Sequence, residues 1–150
     1  MNNLKQNEIV GLEDSITAFL RIIKKPSYWE DFQRRAQVDI DRPSGAILHV
    51  LSPTDCNFQS LVNRLGIEAP FVSRKVHELE TLGLIERKPS QDKRVHILHL
   101  TALGQETTLK LTKAKVEILS EILEGWSDKE IVQLTEMLNR LTADMSVFLT

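Results

Sequence analysis

The stretch "FVSRKVHELETLGLIERKPSQDKR", residues Phe71 to Arg94, holds the pattern on which the fold turns. Val72, Val76 and Leu79 recur at four- and three-residue spacing, the apolar stripe of an amphipathic helix. Gly83 supplies a stop for that helix. Leu84 to Lys88 and Val95 to Leu100 then read as two β-runs around a six-residue loop, Pro89 to Arg94, so a hairpin follows. Cations gather here although the whole chain has formal net charge −2. Residues 60–100 carry seven Lys and Arg against five Asp and Glu, and the remainder carries 12 against 16. A mildly basic middle thus sits between acidic ends, and for a nucleic-acid partner distribution counts for more than the sum.

Working outward, Asn57 suits the N-cap of a preceding helix whose inward side is Leu61, Val62 and Leu65, with Gly66 ending it. The next helix spans about Ala69 to Thr81, with Pro70 in its first turn. Upstream, Pro43 fits a helix start, Ile47, Leu48 and Leu51 form an apolar face, and Pro53 closes it. Leu12, Ile16, Phe19, Leu20 and Ile23 predict a first helix over about Asn7 to Lys24. Pro26 breaks it, and Tyr28, Trp29, Phe32 and Ala36 suggest that a helix resumes. Downstream, Thr101 caps a long helix to about Leu123. Ser127 and Glu130 make a capping box for a last helix striped by Ile131, Leu134, Leu138, Leu141, Met145 and Phe148. Two short helices joined by a tight turn and followed by a hairpin describe a winged helix-turn-helix. The expected fold is mainly α with a small β-hairpin wing, an α+β arrangement.

The bulk numbers agree. With 150 residues, one domain over 1–150 is the default, long enough to bury a core without staples. A 41% hydrophobic share argues against disorder. No apolar run reaches membrane-spanning length, so no membrane partner is expected. Met1 to Asn7 is polar, without the apolar stretch of a secretory signal. A lone cysteine, Cys56, fits a reducing compartment, and a cytoplasmic location is the expectation.

If Val72, Val76 and Leu79 face the core, Ser73, Arg74 and His77 project the other way, with Pro70 and Phe71 near the exposed N-terminal end and Lys75 beside them. A helix fits the DNA major groove, where Arg bonds guanine bidentately and Ser or His reaches a base or a phosphate. A solvated helix face is the bland alternative. The hairpin loop adds Arg87, Lys88, Lys93 and Arg94 on one small projection. Asp92, two residues from Arg94, is placed to orient its guanidinium by charge-assisted hydrogen bonds. An Arg so held can enter a narrow minor groove.

At this point a resemblance emerges. Phe58 to Glu106 resembles the winged-helix core of the MarR family of bacterial transcription regulators, through Leu65-Gly66, Val72-Ser73-Arg74, Leu79-Glu80, Gly83-Leu84-Ile85, Arg87, Asp92-x-Arg94 and Leu100-Thr101-x-x-Gly104. The resemblance implies a homodimer. About 43–100 would form the DNA-binding core, and about 7–37 and 101–150 long dimerisation helices. It implies double-stranded DNA as partner: Ser73 and Arg74 in the major groove, Arg94 at the minor groove with Asp92 in support, and a palindromic operator read about one helical turn, roughly 34 Å, apart. It also implies a repressor released by a small aromatic or phenolic effector. The family often has small polar residues where this chain has Pro70 and Phe71. Pro70 lacks an N–H for a phosphate, and Phe71 suits a thymine methyl instead.

Other candidates carry less. Tyr28, Trp29 and Phe32, with His49 as a further candidate, could line an effector pocket, or serve as dimer-interface core. Cys56 has Asp55 beside it and no neighbouring cation to favour a thiolate, so a structural thiol is expected rather than a sensor. His96 and His99, three apart in a strand, leave opposite faces and share no metal. No Ser-His-Asp arrangement, phosphate loop or ligand cluster points to an enzyme, a metal or a cofactor. The alternative function is a winged-helix adaptor that binds protein through its basic wing.

Overall fold

The structure, a computed structural model, describes residues 3–92 and 94–149. The elements run α1 (Asn3–Ile23), α2 (Pro26–Ala36), α3 (Arg42–Leu51), β1 (Cys56–Asn57), α4 (Phe58–Leu65), α5 (Ala69–Thr81), β2 (Ile85–Pro89), β3 (His96–Leu100), α6 (Ala102–Ile122) and α7 (Asp128–Phe148). The expected mainly α fold with its small β wing is the one observed.

Local chemistry sets the boundaries. The Asp41 carboxylate accepts from the Ser44 amide at 2.9 Å and caps α3, with Pro43 in its first turn. Asn57 does the same for α4, accepting from the Ser60 amide at 2.8 Å. Gly66, at φ 64°, takes the left-handed conformation that ends α4 and turns the chain into α5. Ser127 and Glu130 form the reciprocal box at the start of α7.

The sheet is antiparallel in the order β1-β3-β2. β2 and β3 pair from Ile85 opposite Leu100 to Pro89 opposite His96. The sequence predicts two strands; the third, β1, adds Cys56 opposite Leu98 and Asn57 opposite Ile97. It clamps the outer edge of β3 to the start of α4.

The core lies between α2, α3, α4, α5 and the sheet. Phe32, Ile47, Leu48, Leu61, Val72, Val76, Leu79, Ile85 and Leu98 are all but completely buried. Each such side chain contributes roughly 1.5–3 kcal/mol relative to exposure. A tight joint ties the hairpin to α6. The Thr101 hydroxyl donates to the Gly83 carbonyl at 2.6 Å and accepts from the Gly104 amide at 3.0 Å. A Cβ at Gly104 would lie 2.0 Å from the Leu84 carbonyl oxygen, so no larger residue fits without displacing the strand.

The chain forms two compact units, Met1–Ala114 and Lys115–Thr150. In the first, α1 buries none of its described apolar side chains: Ile9, Val10, Leu12, Ile16, Phe19, Leu20 and Ile22 are exposed. In the second, α7 has no buried residue, and Leu134, Leu138, Met145 and Phe148 of its predicted stripe are exposed. No helix among the described residues is long and apolar enough to cross a membrane.

Candidate nucleic-acid interface

With successive side chains about 100° apart around a helix, Pro70, Arg74 and His77 fall on one outward stripe of α5, opposite Val72, Val76 and Leu79. Ser73 flanks that stripe on one side and Phe71 on the other. Pro70, Ser73, Arg74 and His77 are exposed, and Phe71 is half-buried. The Arg74 guanidinium carbon lies 5.2 Å from the centre of the Phe71 ring, within cation–π range.

Lys75 lies elsewhere. It sits only about 40° from the direction of Leu79, so its stem follows the edge of the core. Its ammonium is 2.6 Å from Asp41 Oδ2 and 2.6 Å from Glu78 Oε2, with the side chain 14% exposed. The hydrogen bonds that its ammonium donates to Asp41 and Glu78 raise the Lys75 pKa above its ordinary value. Partial burial pushes the Asp41 carboxyl upward, but hydrogen bonds from Lys75 and Ser44 together outweigh it and hold the group below its usual range. Asp41 thus caps α3 and anchors α5 with one carboxylate.

The wing is braced in the same way. Arg87 on β2 meets Glu80 on α5 through both carboxylate oxygens, Nε to Oε1 at 2.6 Å and Nη2 to Oε2 at 3.2 Å. That hydrogen bond raises the Arg87 pKa further. Lys88 and Arg94 are exposed. Asp92 holds the loop differently from expectation: its carboxylate accepts from the Arg94 backbone amide at 3.0 Å rather than from the guanidinium. Ser90 Oγ donates to the Asp92 carbonyl at 2.7 Å, and the Val95 amide donates to the same oxygen at 2.9 Å. Asp92 therefore shapes the turn that presents Arg94. Lys93, also expected on the wing, lies outside the described residues. At the wing base, His99 is buried and its Nδ1–H donates to the Glu86 carbonyl at 3.0 Å.

Between α4, α5 and the wing opens a cleft of about 430 Å³, lined by Asn57, Ser73, Arg87, Arg94 and His96 among others. The helix α5 and the wing are thus two walls of one recess that holds Arg87 and Arg94. The description "MarR family" belongs to the model that matches residues 38–94, the span from the α2–α3 link through the wing loop. Over that span the chain is similar to the MarR family, and its fold is a winged helix. Solved structures agree across nearly the whole chain. A MarR family protein from Bacillus stearothermophilus superposes with TM-score 0.75 at 23% identity, covering 97% of this chain and 99% of its own. The transcriptional regulator BldR from Sulfolobus solfataricus gives 0.73 at 23%, covering 96% and 99%. NadR, solved in complex with 4-hydroxyphenylacetate, gives 0.65 at 25%, covering 88% and 89%.

Against this MarR-type frame the aromatic candidates of α2 have mainly packing contacts. Trp29 and Phe32 pack with centroids 4.7 Å apart and ring planes tilted by 45°. Phe32 is 1% exposed. The Trp29 indole lies so close to α3 that a Cβ at Gly45 would come within 2.7 Å of it. Trp29 Nε1 and Gln33 Nε2 both donate to the Ile40 carbonyl, at 3.1 and 2.5 Å. Tyr28 is half-buried and His49 is exposed on α3. Cys56 is a buried free thiol. Sequence reasoning overlooked Asp41 and Glu80, whose partners stand 34 and seven positions away; "Asp-Arg-Pro-Ser" before α3 was a readable capping signal.

Proposed function

We propose that the protein is a homodimeric transcription regulator that binds a palindromic DNA operator through α5 and the wing and, as a repressor, is released by a small aromatic or phenolic effector. The observation that carries DNA binding is an outward Arg74–His77 stripe on α5 together with an exposed Arg94 that shares a recess with Ser73 of the same helix, while Lys75 and Arg87 are paired with Asp41 and Glu80. Cations for contact and cations for support are separate sets. In this reading Ser73, Arg74, His77 and Phe71 meet the major groove, and Lys88, Lys93 and Arg94 serve the wing. The uncovered apolar faces of α1 and α7 support the dimer, because monomeric proteins rarely leave such patches to water. The MarR-type fold supports the regulatory role, and the phenolic ligand of NadR supports the effector class.

The test is fluorescence anisotropy with the duplex upstream of the protein's own coding region, beside a scrambled duplex, over a salt series. Selective binding with a steep negative salt slope is expected. Arg94→Ala should weaken binding about tenfold or more and reduce the salt slope by roughly one for each wing. Binding as tight as wild type at matched salt would remove Arg94 from the interface. Absence of binding to any duplex at low salt would favour the protein adaptor.

A further inference from the structure

The α5 surface carries an aromatic residue with a guanidinium over its ring. Phe71 and Arg74 are three residues apart, on adjacent directions of the same exposed half of α5, and their side chains touch face to cation at 5.2 Å. Phe71 is not a core residue: it is half-buried, whereas its neighbour Val72 is 1% exposed and fills the core. Among the described residues Arg74 forms no ion pair with a carboxylate, while Lys75 and Arg87, like Arg34, Arg35, Lys110 and Arg140, each meet one. Its planar charge is therefore left for an outside acceptor, already restrained by the ring beneath it.

From this we infer that Phe71 and Arg74 act as one reading unit, and that it selects a guanine with a thymine at the neighbouring base pair. The inference rests on the DNA-binding reading above. A guanidinium is the side chain that pairs bidentately with guanine O6 and N7, and an apolar ring is suited to the C5-methyl of thymine. Successive bases on one strand are about 3.4 Å apart. A ring 5.2 Å from the guanidinium carbon thus reaches the next base pair when Arg74 is seated on its guanine. The ring acts twice. It limits the rotamers open to Arg74, so less freedom is lost on binding, and it covers a methyl that water would otherwise surround. Pro70, preceding the ring without an N–H, leaves no amide at that position to compete for the phosphate.

The experiment is a random-site selection with the full chain, followed by anisotropy on the selected duplex and on a copy in which the thymine beside the guanine is replaced by uracil, which lacks only the methyl. The selected half-site is expected to contain the guanine–thymine neighbours. Uracil should weaken wild-type binding about fourfold per half-site, the worth of one buried methyl-sized group. Phe71→Ala should be insensitive to that replacement while keeping the wild-type salt slope, which phosphate contacts set. A selected site without the neighbouring thymine, or a uracil duplex bound as tightly by wild type, would overturn the inference while leaving DNA binding intact; the uracil result needs no altered protein. Failure to enrich any sequence at low salt would overturn DNA binding itself, and this unit with it.

Discussion

The winged-helix core and the terminal helices use the same kinds of apolar residue to opposite ends. In the core, Leu48, Leu61, Val76 and Leu79 are 0% exposed, sealed by partners from their own chain. In α7, Leu138 is 52% and Met145 53% exposed, and nothing in α7 is buried. Composition is alike; closure is not. The core is finished by one chain, whereas α1 and α7 carry apolar faces that a second chain would finish. The difference teaches that an amphipathic stripe specifies that a face will be covered, not by which chain.

The comparison breaks most readily at α7. Replacing Leu138 and Met145 together by Glu should convert the proposed dimer to monomer in sedimentation, since each lost apolar side chain is worth roughly 1.5–3 kcal/mol and a two-fold interface loses each twice. An unchanged mass would show that this stripe does not join two chains. Within the core, Leu79→Ala should lower the unfolding free energy by about 2–5 kcal/mol in urea titration, through a cavity under α5. A loss near zero would mean that the core closes over the gap.

The smallest effect sharpens the comparison where the core holds α5. Asp41→Asn keeps a capping side chain but removes the charge facing Lys75. Asp41 is about half exposed, so solvent screening limits the expected loss to about 0.5–1 kcal/mol at neutral pH. The signs follow from the two groups. Asp41 titrates below 3.8 in the folded chain, so its contribution is present above that value and is lost as pH falls through the folded pKa. Lys75 titrates above 10.5, so its contribution is present below that value and is lost as pH rises beyond it. Urea midpoints of wild type and variant should therefore differ most between these limits and converge as pH falls through the folded pKa of Asp41 or rises through that of Lys75. A gap that does not shrink as acid protonates Asp41 in the folded chain would assign the loss to capping rather than to charge.

Much of this was legible in the sequence, because its causes are local. The stripe Val72, Val76, Leu79, the caps Asn57 and Ser127, the stop at Gly83 and the hairpin all depend on residues a few positions apart. What escaped depends on distant partners. β1 is two residues long, too short for alternation to register, and exists because β3 offers an edge at Leu98 and Ile97. Lys75 looked like a contact residue because it follows Arg74; only the direction of its stem and the placement of Asp41 make it a strut. Asp92 was expected to reach a side chain and instead reaches an amide, since a carboxylate two residues from an N–H closes a turn with little loss of freedom. Trp29 signalled an aromatic cluster, but not that Gly45 leaves the space it occupies.

The placement of Cys56 has a kinetic consequence. The only thiol of the chain lies in β1, buried, opposite Leu98 on the strand that leads out of the wing. With Cys56 9% exposed, a reagent reaches it far more readily when that edge strand lifts. The rate of its alkylation under native conditions is therefore a clock for how often the wing detaches from the start of α4. A duplex seated against both would slow the clock without touching the sulfur.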